Sequence, residues 1–178
     1  FSAWSVDTNV SYKGNASMRF DVPNANDPQG NYAGGILRVD GAGRNLTGYD
    51  ALTFWAKASQ GVTIGEIGFG EDFYPNKYIT TMTNVSLGTA WAKYIIPIPN
   101  ASKLLQEKGM FRYAAGSQGT NGAGYTFWID ELKFERDRLK KQRDVEKSIN
   151  FSRKILLGAI SGIEYLNKTI DNPLDLRL

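Results

Sequence analysis

The stretch Ala51-Leu-Thr-Phe-Trp-Ala-Lys-Ala-Ser-Gln-Gly-Val-Thr-Ile-Gly-Glu-Ile-Gly-Phe69 decides the fold of residues 1–135. Two apolar runs flank a short Ser-Gln-Gly break. In the first run Leu52, Phe54 and Ala56 fall on one face and Thr53, Trp55 and Lys57 on the other, the two-residue period of a half-buried strand. Lys57 prefers water, so Trp55 is expected on the open face. Working outward, runs of the same kind recur between Gly, Asn, Asp and Pro turns: Ser17–Val22, Ile36–Asp40, Tyr78–Leu87, Trp91–Ile98, Phe111–Ala115 and Tyr125–Phe134. A short helical turn over Ala101–Lys108 is the one exception. About eight strands without an intervening helix predict an all-β, antiparallel two-sheet sandwich.

Composition narrows the chemistry. The 178 residues include no Cys and no His. That removes thiol nucleophiles, Ser-His-Asp triads, imidazole bases and the zinc sites built on those ligands. A metal here has to be a hard, oxygen-liganded ion such as calcium. No apolar run approaches the roughly 18–20 residues that cross a bilayer. The chain begins at Phe1 with neither an initiator Met nor a leader, and is read as a mature or trimmed form. The net charge of +3 is unevenly held. Residues 1–135 carry 11 basic and 12 acidic groups, residues 136–178 carry 10 and 6, so the basic surplus belongs to the tail and nucleic acid is not expected on the body.

The tail also has a different period. Asp137–Lys168 has no Pro, and Ile149, Leu156, Ile160 and Ile163 follow steps of seven, four and three, the seam of a long amphipathic helix that Asn172-Pro173 should end. Such a stripe cannot bury itself alone, so a helical tail over 136–178 is expected to pack on a protein partner or to self-associate. Gly158 and Gly162 point to close helix packing more than to a membrane. The change at Glu135/Arg136 fits an oligomerisation or docking helix, a fusion, or a discontinuous segment.

Four stretches of the body resemble carbohydrate-binding modules of the galactose-binding-like jelly-roll type, as attached to bacterial polysaccharide-degrading proteins. They are Tyr12-Lys-Gly-Asn-Ala-Ser-Met-Arg-Phe20, Leu46-Thr-Gly-Tyr-Asp-Ala-Leu-Thr-Phe-Trp-Ala-Lys57, Trp91-Ala-Lys-Tyr-Ile-Ile-Pro-Ile98 and Tyr125-Thr-Phe-Trp-Ile-Asp-Glu-Leu-Lys-Phe134. The resemblance spans nearly all of residues 9–135. The first strand of such modules looks short or missing before this pattern begins, and Glu131 stands where the closing motif usually has a second Asp. The tail lies outside it. Ile155-Leu-Leu-Gly-Ala-Ile-Ser-Gly-Ile-Glu-Tyr-Leu-Asn-Lys168 faintly resembles a helix in structural proteins of large DNA viruses.

The resemblance implies a non-catalytic glycan site, extracellular or at a cell surface, tethering a larger protein to polysaccharide. Sugars present hydroxyl rims and apolar C–H faces, so aromatic platforms and planar polar groups are the candidates. Trp55 leads, with Arg38, Arg112, and Glu71, Asp72 and Tyr74 in the loop at 71–76. Trp128 stands between packing and binding, and Trp91 is assigned to packing. The resemblance also implies a structural calcium ion ligated by Asp130, near the backbone at Lys13–Asn15 and tying the terminal strands together. Glu66, Glu71 and Asp72 are the only clustered acids near an open face, too little for a glycosidase pair in so small a body, so no enzyme is expected. The alternative is a structural or attachment protein docked through its tail helix.

Overall fold

A computed structural model describes residues 4–71 and 78–170. Contacts divide the chain into two units, Phe1–Asp137 and Arg138–Leu178. The first is a β-sandwich with nine strands among the described residues: β1 (Ser5–Asp7), β2 (Ser17–Val22), β3 (Tyr32–Arg38), β4 (Ala51–Ala58), β5 (Val62–Glu71), β6 (Tyr78–Leu87), β7 (Ala92–Pro97), β8 (Gly109–Gly116) and β9 (Tyr125–Glu135). One sheet runs β1-β2-β9-β4-β7 and the other β3-β8-β5-β6, all neighbours antiparallel. This is the expected two-sheet sandwich. Among the described residues the second unit is one helix, α1 (Arg138–Ile170).

The alternation read from the sequence sets the two inner faces. Phe20 and Val22 of β2, Leu52, Phe54 and Ala56 of β4, Phe111 and Tyr113 of β8, and Phe127 and Ile129 of β9 are all buried. Phe20 sits at the centre of the sandwich. Its ring stacks on Phe127 of its own sheet at 4.7 Å and meets the edge of Tyr113, from the opposite sheet, at the same distance. Phe111 closes the group against Phe20 at 5.8 Å and Phe54 at 6.0 Å. Offset and edge-on aromatic contacts of this kind add to the burial of the rings themselves.

Three differences from the sequence reading have local causes. The first strand is short but present, since Ser5–Asp7 pairs with β2. It carries too little alternation to be recognised alone. β3 starts at Tyr32, four residues before the expected run, because Ala33, Gly34 and Gly35 supply backbone pairing without bulk. The helical turn is a single 3-10 turn at Ala101–Lys103, after which the backbone bridges Arg44 to Glu107 instead of continuing. The body ends on Arg136, whose guanidinium lies 4.6 Å from the Tyr49 ring centre. The expected stop at Asn172-Pro173 lies outside the described residues.

Truncating the central stack removes contacts that bind both sheets. Phe127→Ala is expected to destabilise the sandwich by about 3–5 kcal/mol, read as a shift in the urea midpoint. A loss below about 1 kcal/mol would show that the stack is not the joint between the sheets.

Candidate functional site

The outer faces of the two sheets differ in what they leave available. On the five-stranded sheet, the outward side chains already serve one another. Trp55 projects outward as expected, but the Tyr12 ring lies parallel to it with centroids 3.8 Å apart, and Trp91 meets Tyr12 edge-on at 6.0 Å. Trp128 is 9% exposed. Its indole N–H donates to Asp7 Oδ2 at 2.9 Å, and Lys57 Nζ stands 5.6 Å from the ring centre. That N–H, joined by the backbone N–H groups of Asn9 and Val10, holds the Asp7 carboxyl below the ordinary carboxylate range. Arg19 forks onto Asp21, and Thr126 donates to the same carboxylate at 2.6 Å. Thr53, expected on the open side, is buried against Glu135 Oε1 at 2.7 Å.

The outer face of the four-stranded sheet is organised otherwise. Strand register sets same-face residues in rows across it. One row is Gly34, Ala114, Glu66 and Thr83, and the next is Ile36, Arg112, Gly68 and Thr81. Glycine and alanine in neighbouring positions make a low floor. Tyr32, 59% exposed, lays its ring over Gly34. A Cβ on Gly34 would come within 2.8 Å of Tyr32 Oη and 2.9 Å of its Cε1, so the ring keeps this position only because residue 34 has no side chain. Beside it, Arg112 Nε stands 2.8 Å from Glu66 Oε1, an ion pair at contact distance but without hydrogen-bond alignment. Arg112 Nε and Nη1 and Glu66 Oε1 are buried without a hydrogen-bond partner. Groups in that condition call for an explanation in a native fold.

The floor continues in both directions. Toward one end, Thr63, Gly65, Asn84, Gly116, Gln118 and Gly119 line a shallow recess of about 390 Å³. Toward the other, Arg38 pairs with Glu71. Glu71 is itself buried, close to the buried Glu107, whose Oε1 accepts from the Gly109 N–H at 2.8 Å. Burial, reinforced by the nearby Glu71 charge, pushes the Glu107 carboxyl above its ordinary 4.5.

The expected site residues therefore divide. Arg38, Glu71 and Arg112 lie on the four-stranded sheet. Trp55 and Trp128 lie on the other sheet, and the sandwich core separates the two sets. Strand alternation says which side of a strand a residue takes, not which sheet the strand joins. Asp72 and Tyr74 lie outside the described residues. Tyr32, the exposed platform, was not singled out from the sequence. Its signal was there in Tyr32-Ala-Gly34, an aromatic residue two places from a glycine and thus on the same face.

Asp130 has a different setting from the one implied by a calcium ligand. Its Oδ2 accepts from the backbone N–H of Tyr12 at 2.7 Å and of Lys13 at 3.0 Å, and Oδ1 accepts from the N–H of Glu131 at 2.6 Å. N–H donors cannot ligate a cation, and no cluster of three acidic groups stands together among the described residues. The residues around Asp130 do not fit a calcium shell, which takes six to eight oxygens. Asp130 pins the Tyr12–Lys13 turn, and that turn sets Tyr12 on Trp55.

A family model described as carbohydrate binding domain 30 matches residues 2–136. A second, a family of unknown function (DUF5767), matches residues 124–178. Among solved structures, a family 30 carbohydrate-binding module is 20% identical, with 75% of this chain and 74% of that one covered and a TM-score of 0.55. The family 30 module of the cellulosomal cellulase Cel9D-Cel44B of Clostridium thermocellum is 18% identical over 76% of this chain and 83% of its own, with a TM-score of 0.54. No curated protein matches the chain.

Two measurements test the site's electrostatics. Below pH 4.5 Glu107 is protonated in folded and unfolded chains alike. Above it the unfolded chain loses the proton first, so stability falls as pH rises from 4.5 toward the elevated folded value. Glu107→Gln keeps the acceptor for Gly109. It is expected to raise the thermal midpoint at pH 7 and to leave it nearly unchanged at pH 4; an equal change at both would discount the buried charge. Chelator or added calcium is expected to move the midpoint by less than about 1 °C, whereas a ligand bound to the native state at a hundred times its Kd contributes about 2.7 kcal/mol.

Proposed function

Residues 2–136 belong to the carbohydrate binding domain 30 family, and on that premise we propose that glycan lies along the outer face of the four-stranded sheet. Carbohydrate binding without catalysis is the activity of such a domain, consistent with a chain free of Cys and His. The observation that supports this face is the exposed Tyr32 ring over Gly34, beside the partly exposed Arg112–Glu66 ion pair. An aromatic ring offers a flat apolar surface to the C–H face of a sugar. The Arg112 and Glu66 side chains are each partly exposed beside that ring, and a hydroxyl both donates and accepts, so a sugar hydroxyl can bond the polar edge that this ion pair leaves open. The floor of Gly34, Ala114 and Gly68 lets a chain approach the sheet closely, and the recess at Thr63 and Gln118 extends its path.

The charges suit a neutral or weakly polar ligand. Arg112 is matched by Glu66 and Arg38 by Glu71, so the face carries no surplus to draw an anionic polymer. The Trp55 face of the other sheet is the weaker reading, because Tyr12 and Asp7 already occupy its aromatic surface and its indole N–H. Binding of this kind tethers whatever protein carries the domain to polysaccharide, and an extracellular setting is part of the proposal.

Affinity electrophoresis of the full chain through a panel of soluble polysaccharides tests it. Tyr32→Ala and Arg112→Ala are each expected to weaken retention at least about tenfold, about 1.4 kcal/mol, with the β-sheet circular dichroism unchanged. Trp55→Ala is expected to retain binding. The reverse pattern would move the site to the other sheet, and retardation by no polysaccharide would sink the proposal.

A further inference from the structure

Among the described residues from Val145 to Ile163, helix α1 leaves its large apolar side chains exposed. Val145, Ile149, Leu156, Ile160 and Ile163 are between 44% and 61% exposed and fall on one side of a 33-residue helix, while Phe151, Ile155 and Leu157 are exposed around it. Apolar surface of that extent on a soluble chain marks an association site. Among the described residues no helix is long and apolar enough to cross a membrane.

The spacing identifies what covers the stripe. In a heptad frame with Ile149, Leu156 and Ile163 at a, the d positions are Val145, Ser152 and Ala159. The frame holds for three consecutive heptads without a charged residue at a or d. Ile149 and Ile163 put β-branched side chains at a, the position where a parallel two-stranded coil takes them. We propose that α1 pairs with α1 of a second copy of this chain as a parallel two-stranded coiled coil.

Charge complementarity selects the second copy and its direction. In a parallel pair, each g position faces e of the next heptad on the partner. Lys141 at g then meets Glu146 at e, an attractive pair made twice by symmetry, and Ile155 at g meets Ile160 at e, which widens the apolar seam where the d residues are small. An antiparallel pair centred on the same stripe sets Arg153 against its own copy and Glu146 against Ile160, burying a carboxylate on an apolar side chain. The parallel arrangement alone leaves no charge against apolar surface. It gives each assembly two copies of the sandwich, so that a polymeric glycan is held at two points and released more slowly than from one.

Sedimentation equilibrium of the full chain is expected to give twice the 19.7 kDa chain mass at tens of micromolar, and Leu156→Lys to raise the dissociation constant at least about tenfold. Glu146→Lys is expected to weaken the dimer at low salt, and Lys141→Glu with Glu146→Lys to restore it. Since the chain has no cysteine, Val145→Cys supplies a single reporter. It oxidises to a disulfide-linked dimer if the helices are parallel. In an antiparallel pair residue 145 lies opposite residue 163, about 27 Å along the axis from its counterpart, and no disulfide forms. A monomer at every concentration, a dimer in which Val145→Cys does not cross-link, or binding of the helix to lipid vesicles in place of self-association would overturn the proposal. None of these readouts depends on which face holds glycan.

Discussion

The sandwich depends on one aromatic joint. Phe20 contacts Phe127 within its own sheet and Tyr113 and Phe111 across the core, so a single side chain couples the sheets that carry the two outer faces. Burying these rings fixes the side on which every neighbour along β2, β8 and β9 must lie, because a shift of one residue in register would exchange inner and outer sets. Arg112 projects outward because Phe111 and Tyr113 on either side of it are held inward. The polar features of the face follow from packing decided on the other side of the same strand.

The fold was legible in the sequence where alternation was strong. β2, β4 and β6 have the limits their hydrophobic period implies, since their inward residues are large and their turns carry Gly, Asn or Pro. β1 and the start of β3 were not legible, the first because three residues hold too little pattern and the second because Gly34 and Gly35 have no side chain to show a face. The site was legible in part. Strand position puts Arg38, Arg112 and Trp55 on the open sides of their strands, but which sheet each strand joins is a matter of long-range pairing that no local period encodes. Strand position carries no such signal for Tyr32, because its exposed position depends on the emptiness of Gly34 beneath it.

The chain separates two kinds of chemistry. The body spreads nearly equal numbers of opposite charges and pairs several of them on its faces. The helix concentrates the basic surplus and the unburied aliphatic residues. One family model matches the body and another reaches from β9 through the helix, so the closing strand is common to both patterns.

The clasp at the start of the body carries a consequence of its own. Trp128 holds Asp7, and Asp130 holds the backbone at Tyr12 and Lys13, so the outermost segment is fastened to the closing strand by hydrogen bonds where many small extracellular domains use a covalent bridge. A cross-link of that sort can be cut by thiols and must be formed by oxidation. This fastening needs neither step. The domain can assemble as soon as its last strand is synthesised, and its integrity is indifferent to whether the medium around it is reducing or oxidising.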